Sequence, residues 1–213
     1  MNCDTENVFV MTLTQRVEDG SRPSSEMDRQ LTRELGDLST SAPFQPTGPG
    51  EVRGLTEDPE AAVSATMIAL RDGRYAVAIG VGEVFLTRVT DPQGRLAVAA
   101  DGAGMLYGHE AAATVRGIDR VAVRVCAADQ QSAAEAQAVL KLVGRIVSVR
   151  SEAEWRVVDL LTPGARGQQK DVAAQLGITP QAVSKAVVRS LWHEEWDARP
   201  AAATLLRRCA EHF

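Results

Sequence analysis

The chain has 213 residues, 45% of them apolar and 24% charged, enough for one large domain or two small ones around a packed core. Aromatic residues make up only 4%, so the core should be aliphatic, with no sign of a large aromatic cofactor pocket. No apolar run approaches the roughly 20 residues that a bilayer requires, and the acidic start "MNCDTENVFVMTLTQRVEDG" is unlike a secretory leader, so a cytoplasmic protein with no membrane association is expected.

In chain order, "NVFVMTLTQ" (7–15) alternates and is rich in Val, Phe and Thr, which predicts a strand. "SSEMDRQLTRELGDL" sets Met27, Leu31, Leu35 and Leu38 at helical spacing behind a capping serine. "SAPFQPTGPGEVRGL" is dense in Pro and Gly and is expected to be a turn-bearing stretch with at most a short extended piece. "DPEAAVSATMIALRDG" opens on a cap and a proline and closes on Asp72-Gly73, a helix signature. "RYAVAIGVGEVFLTRV" reads as β structure, with Gly80 and Gly82 at points of close packing. "QGRLAVAADGAGMLYG" predicts a strand and a flexible glycine loop, "HEAAATVRGI" a helix and "RVAVRVCA" a further strand. From Ser132 onward the pattern is helical: "SAAEAQAVLKLVGRIVSV", then "SEAEWRVVDLL" with a Ser151/Glu154 capping box, "QQKDVAAQLG", "TPQAVSKAVVRSLWHEEW" and a closing "RPAAATLLRRCAEHF".

Charge divides unevenly along this order. Residues 1–140 carry 12 Lys and Arg against 20 Asp and Glu, a net of −8, and residues 141–213 carry 11 against 8, a net of +3, which together give −5. An acidic front and a mildly basic back point to two modules, with polyanion contact confined to the second. Cys3, Cys126 and Cys209, and His109, His193 and His212, are dispersed, with no C-x-x-C pair, so neither a metal site nor a disulfide framework is expected. No cofactor is expected either.

The stretch "QKDVAAQLGITPQAVSKAVV" (169–188) fits a helix-turn-helix position by position. Ala173 is small where two helices cross, Gly177 accepts the positive φ of the turn, and Val183 fixes the second helix together with Val172, Leu176 and Ile178. Thr179 caps the second helix and Pro180 stands in its first turn. In such a unit the second helix enters the major groove. Gln181, Ser184 and Lys185 are therefore the candidates for reading bases, Thr179 and Arg189 for phosphates, and Arg166 and Lys170 for further backbone contacts. A plain helical hairpin with two surface cations would not require the small residue, the glycine and the capped proline at these spacings. Ala186 departs from the pattern, standing where a larger aliphatic is common.

Taken with "EDGSRP", "PFQPTGPGEVRGL" (43–55), "RDGRYAVAIGVGEV" (71–84), "EAEWRVVDLL" and "LWHEEWDARPAAATLL", this unit resembles, over most of the chain, the SatD family of bacterial proteins in its actinobacterial form with a C-terminal helix-turn-helix. The C-terminal part is also similar to the DNA-binding regions of sigma factors and MarR-type regulators. The resemblance implies a ferredoxin-like N-terminal sheet with helices, akin to nucleotide cyclase and polymerase palm domains, where two carboxylates hold Mg²⁺ against nucleotide phosphates. This sequence keeps Ser21, Arg22, Glu51, Gly54 and Leu55, but has Val17 or a neighbour at the first acidic position and Gly50 at the second. A lone Glu51 cannot hold such a cation, so catalysis is not expected. "TGPGEVRG" lacks the Gly-Lys-Ser/Thr ending of a phosphate loop, and "GVGEV" lacks the third glycine of a dinucleotide fingerprint. The pairs Glu57-Asp58 and Glu194-Glu195 are read as solvated charge, and Trp155, Trp192 and Trp196 as anchors of a small core or interface.

The expected molecule is α+β. Residues 1–130 form a ferredoxin-like, degenerate cyclase/palm-like sheet with helices, 131–150 a connecting helix, and 151–213 an all-α helix-turn-helix domain. The expected partners are double-stranded DNA and a second copy of the chain, because +3 neutralises few phosphates; RNA polymerase is the alternative partner. The rival reading is a nucleotide-binding or cyclase-like enzyme whose C-terminal helices dock a partner.

Overall fold

The computed structural model describes residues 4–17, 21–71, 73–90, 96–115 and 119–211. The motif residues Glu18, Asp19, Gly20 and Asp72, together with Cys3 and His212, lie outside the described residues.

β1 (Asp4–Gln15) is the central strand, antiparallel to both of its neighbours. Val8, Phe9, Val10, Met11 and Leu13 are all buried because the strand is covered on both faces. Phe9, Met11 and Leu13 join the main core, whereas Val8 and Val10 point to a smaller cluster on the other face with Leu55 and Val84. α1 (Ser25–Glu34) starts where the Ser24 side chain accepts from the Met27 N–H, and lays Leu31 and Leu35 on the first face. β2 (Ala42–Gly48) and β3 (Glu51–Thr56) follow as a hairpin. This corrects the expectation of a mostly turn-bearing stretch. Pro43 and Pro46 are tolerated because β2 is an edge strand, where a missing N–H breaks no ladder.

α2 (Pro59–Leu70), capped by Asp58, returns over the main core. β4 (Tyr75–Thr90) pairs with β1 along its first part and with β5 (Leu96–Asp101) along its second. α3 (Ala103–Thr114) begins directly after Gly102, so "GAGMLYG" is helix rather than a flexible loop. Its glycines serve close approach: a Cβ on Gly80 of β4 would lie 2.0 Å from the Gly108 nitrogen of α3. β6 (Val123–Cys126) then pairs parallel to β4. The result is a mixed six-stranded sheet, ordered β2-β3-β1-β4-β5 with β6 on β4, inside an α+β molecule.

The rest is helical: α4 (Gln130–Ser148), α5 (Glu152–Val158), α6 (Gln169–Leu176), α7 (Pro180–Arg189) and α8 (Trp192–Ala210). α4 was expected as a connector, but Ala133, Ala136, Leu140, Val143 and Val147 bury it in the main core. α7 and α8 do not continue into one another, because Leu191 takes a left-handed conformation (φ 50°) between them. α8 instead runs unbroken through Pro200 and takes in most of the closing stretch "RPAAATLLRRCAEHF". It spans two cores. Trp192 belongs to a small cluster with Val157, Val158, Val172, Ala173, Val183 and Val187, while Ala202, Ala203, Leu206 and Cys209 belong to the main one.

Candidate nucleic-acid interface

α5 is set by the expected capping box: the Ser151 side chain accepts from the Glu154 N–H, and Glu154 accepts from the Ser151 N–H. That start aims Val157 and Val158 at the small core, where Val172 and Ala173 of α6 meet them. α6 stops at Gly177, whose φ of 67° and ψ of 32° are left-handed. A Cβ there would meet nothing within 4 Å, so the position selects glycine for conformation and not for space. The Ile178 N–H donates back to the Ala173 carbonyl at 3.0 Å, closing the turn on the small residue. Thr179 is extended, its hydroxyl accepts from the Ala182 N–H at 3.1 Å, and Pro180 opens α7.

Val183 and Val187 are buried on the inner side of α7. On the outer side Gln181, Ser184, Lys185, Val188 and Arg189 are exposed; 181, 184, 185 and 188 follow i, i+3, i+4, i+7 spacing and so form one stripe. Thr179, Arg166 and Lys170 are exposed as well, the last in the first turn of α6. Three details qualify the expected roles. The Ser184 hydroxyl donates to the Pro180 carbonyl at 3.0 Å, turning it toward its own helix. Ile178 is 40% exposed rather than buried between the helices; it lines a shallow groove between α5 and α7 with Glu154, Lys185 and Arg189. The Glu154 carboxyl is held below its ordinary range, first by the backbone N–H of Ser151 and further by the charges of Arg189 and Arg150. Arg189 therefore works beside a carboxylate.

The end of α7 is tied down by a cluster that local sequence does not disclose. Glu195, expected to be solvated, is buried and bound on both sides: Arg150 Nη1 lies 2.7 Å from Oε2, and Arg199 Nε donates to Oε1 at 2.9 Å. Arg150 Nε also donates to the Ser190 carbonyl at 2.9 Å, at the C-terminal cap of α7. Only the i, i+4 spacing of Glu195 and Arg199 was visible in sequence; Arg150 lies 45 positions away from Glu195. Trp155, Trp192 and Trp196 sit in or against the small core, with Arg71 stacked 4.1 Å over Trp155 and Arg199 3.8 Å over Trp196.

In the N-terminal half, β1 ends on Gln15 facing the β2–β3 turn, where the Gln15 N–H donates to the Gly50 carbonyl at 2.7 Å. The carboxylate buried here is Asp28. Its oxygens accept from Gln15 Nε2 at 2.6 Å, the Tyr75 hydroxyl at 3.1 Å and the Gly50 N–H at 3.1 Å. Burial, and then the charge of Asp28, push the Tyr75 hydroxyl well above its ordinary range. The "TGPGEVRG" turn thus spends its Gly50 N–H inside the protein, and a Cβ on Gly50 would lie 2.6 Å from Pro23. Glu51 is occupied by Thr47 and Arg53, and Val17 is 47% exposed. Among the described residues no group of three His, Cys, Asp or Glu side chains could hold a metal.

No protein-family model matches the chain, and no curated protein matches it. Among solved structures the chain is similar to one described as the crystal structure of the guanylyl cyclase Cya2, at 14% identity over 52% of this chain and 71% of that one, with a TM-score of 0.36. A likeness of that size assigns neither a fold family nor an activity. No helix among the described residues is long and apolar enough to cross a membrane.

Proposed function

We propose that the chain is a cytoplasmic, sequence-specific DNA-binding regulator in which α6 and α7 form a helix-turn-helix and α7 enters the major groove. The observation that carries the reading is the pairing of a left-handed Gly177 turn and a Thr179-capped α7 with an outer stripe of Gln181, Ser184 and Lys185 that stands outside the core. Lys185 and Gln181 would read base edges; Arg189, Thr179, Arg166 and Lys170 would set position on phosphates. Glu154 partly offsets Arg189, and the C-terminal segment has a net charge of only +3, so a homodimer that doubles the phosphate contacts fits the electrostatics best.

The N-terminal half is read as a non-catalytic ferredoxin-like domain for dimerisation or sensing. The connection β1-α1-β2-β3-α2-β4 with strand order β2-β3-β1-β4 supports the fold. The consumption of Asp28 by internal hydrogen bonds supports the absence of chemistry at that edge. Membership of the SatD family rests on the quoted motifs. A second reading, an RNA polymerase adaptor, draws on Val188, which is 70% exposed on the outer side of α7; an apolar residue there suits a protein contact as well as a thymine methyl group. Selection of bound fragments from genomic DNA by the full-length protein separates the two. Enrichment of a common, pseudo-palindromic sequence supports the regulator, and no enrichment beside retained polymerase binding supports the adaptor.

A further inference from the structure

α4 is a surface helix that is apolar on two sides. Its inner side, from Ala133 to Val147, is buried in the main core. Its outer side presents Ala138, Leu142 and, at the C-terminal cap, Val149. All three are exposed, Leu142 at 68% and Val149 at 52%, and their i, i+4, i+11 spacing sets them on one line along the helix. The outer side of a surface helix normally carries charge, yet among the 19 residues of α4 only Glu135, Lys141 and Arg145 are charged. Lys141 lies at the side of the line, 3.3 Å from Asp119. One acid and one base therefore remain beside the apolar line. Glu135 is exposed and accepts from Gln131 of its own helix; Arg145 is partly exposed and has no ion pair among the described residues.

We infer that the outer side of α4 is a homodimer interface, in which two copies of this helix pack antiparallel about a twofold axis. The two charges have opposite signs and stand about 15 Å apart along the helix. An antiparallel pair of helices with its dyad level with Leu140 brings each Glu135 opposite the other copy's Arg145. The same register brings each exposed Leu142 opposite the other copy's Ala138, large against small, so the axes can approach closely. A parallel pair would instead set Glu135 against Glu135 and Arg145 against Arg145. A twofold contact requires a surface that complements itself, and this one does so in charge and in size; an unrelated partner would require neither. The inference deepens the proposed homodimer and rests on that reading for its role at DNA, but the interface is measured without DNA.

The test is sedimentation of the full-length protein over a concentration series. The wild type should be a dimer in the low micromolar range. Leu142→Glu should weaken the dimer at least tenfold, because it carries an unpaired charge into the contact. Glu135→Arg and Arg145→Glu each set like charges against one another at two symmetry-related points, and each should weaken the dimer about tenfold. Combined in one chain they restore opposite signs, and the dimer should return to within about threefold of the wild type. That recovery also excludes misfolding, since a variant that had lost its fold would not be rescued by a second charge change. The inference is overturned by a wild type that stays monomeric, as when the stripe meets a different protein, by a dimer that Leu142→Glu leaves unchanged, or by a double charge variant no tighter than the single ones. A monomeric wild type that still enriches a common DNA sequence overturns this interface and leaves the helix-turn-helix reading standing.

Discussion

Gly177 and Glu195 show how differently single residues report themselves. Gly177 was legible because a helix stop followed by a capped helix demands a residue that tolerates positive φ, and its φ of 67° meets that demand. Open space around its Cβ position makes the prediction clean: Gly177→Ala should cost about 1 kcal/mol through backbone strain alone, whereas Gly177→Asn, which enters the left-handed region more readily, should cost less. Chemical denaturation of both variants checks the order. Glu195 was not legible, because an adjacent pair of acids at a helix start is usually solvated and its decisive partner, Arg150, is remote in sequence. Its burial between Arg150 and Arg199 means that Glu195→Ala strands a guanidinium away from water. A destabilisation of about 3–5 kcal/mol is expected, measured by the shift in denaturation midpoint. Ile178 was misplaced for a related reason: an apolar residue in a turn looks as though it packs between the helices, and only the geometry shows it 40% exposed.

At the scale of elements, composition and capping signals found their strands and helices, and the reading failed where glycine and proline had tertiary reasons. β1 is a run of β-formers, and α2 and α5 carry proper caps; all three form where expected. The β2–β3 hairpin was obscured by Pro43 and Pro46, which forfeit no ladder bond only because β2 lies at the sheet edge. α3 was obscured by Gly104 and Gly108, which read as flexibility but let the helix backbone approach the sheet closely, Gly104 against Gly82 and Val84 of β4 and Gly108 against Val10 of β1. Both errors concern neighbours that local sequence does not contain. The α6–turn–α7 unit was the opposite case. Its caps, small crossing residue and turn are all local, so Ala173, Gly177, Thr179 and Val183 could be assigned their structural parts in advance.

For the whole molecule, the boundaries expected at 130 and 150 do not coincide with the division between the cores. α4 is part of the main core, and α8 fastens both cores together through Trp192 at one end and Leu206 and Cys209 at the other. A fragment comprising residues 151–213 would therefore expose Ala202, Ala203, Leu206 and Cys209. It should show less helix than its share of the full chain, unfold with a broadened transition and associate as concentration rises, by circular dichroism and sedimentation. A sharp, concentration-independent transition at the full helical content would contradict the shared core. The same tie places the proposed DNA-facing stripe on an element braced by Arg150 through Ser190, so the stripe should keep its shape when exposed cations are removed.

That independence makes the central claim directly measurable. Binding of the full-length protein to a selected genomic fragment, followed across salt concentrations beside Lys185→Ala/Arg189→Ala, tests whether α7 meets DNA. Both side chains are exposed, so the double variant should melt like the wild type. It should bind at least tenfold more weakly, with a salt dependence shallower by about 0.9 for each phosphate that is no longer neutralised. A folded double variant with unchanged affinity and an unchanged salt slope would contradict the assignment of α7 as the helix that reads DNA.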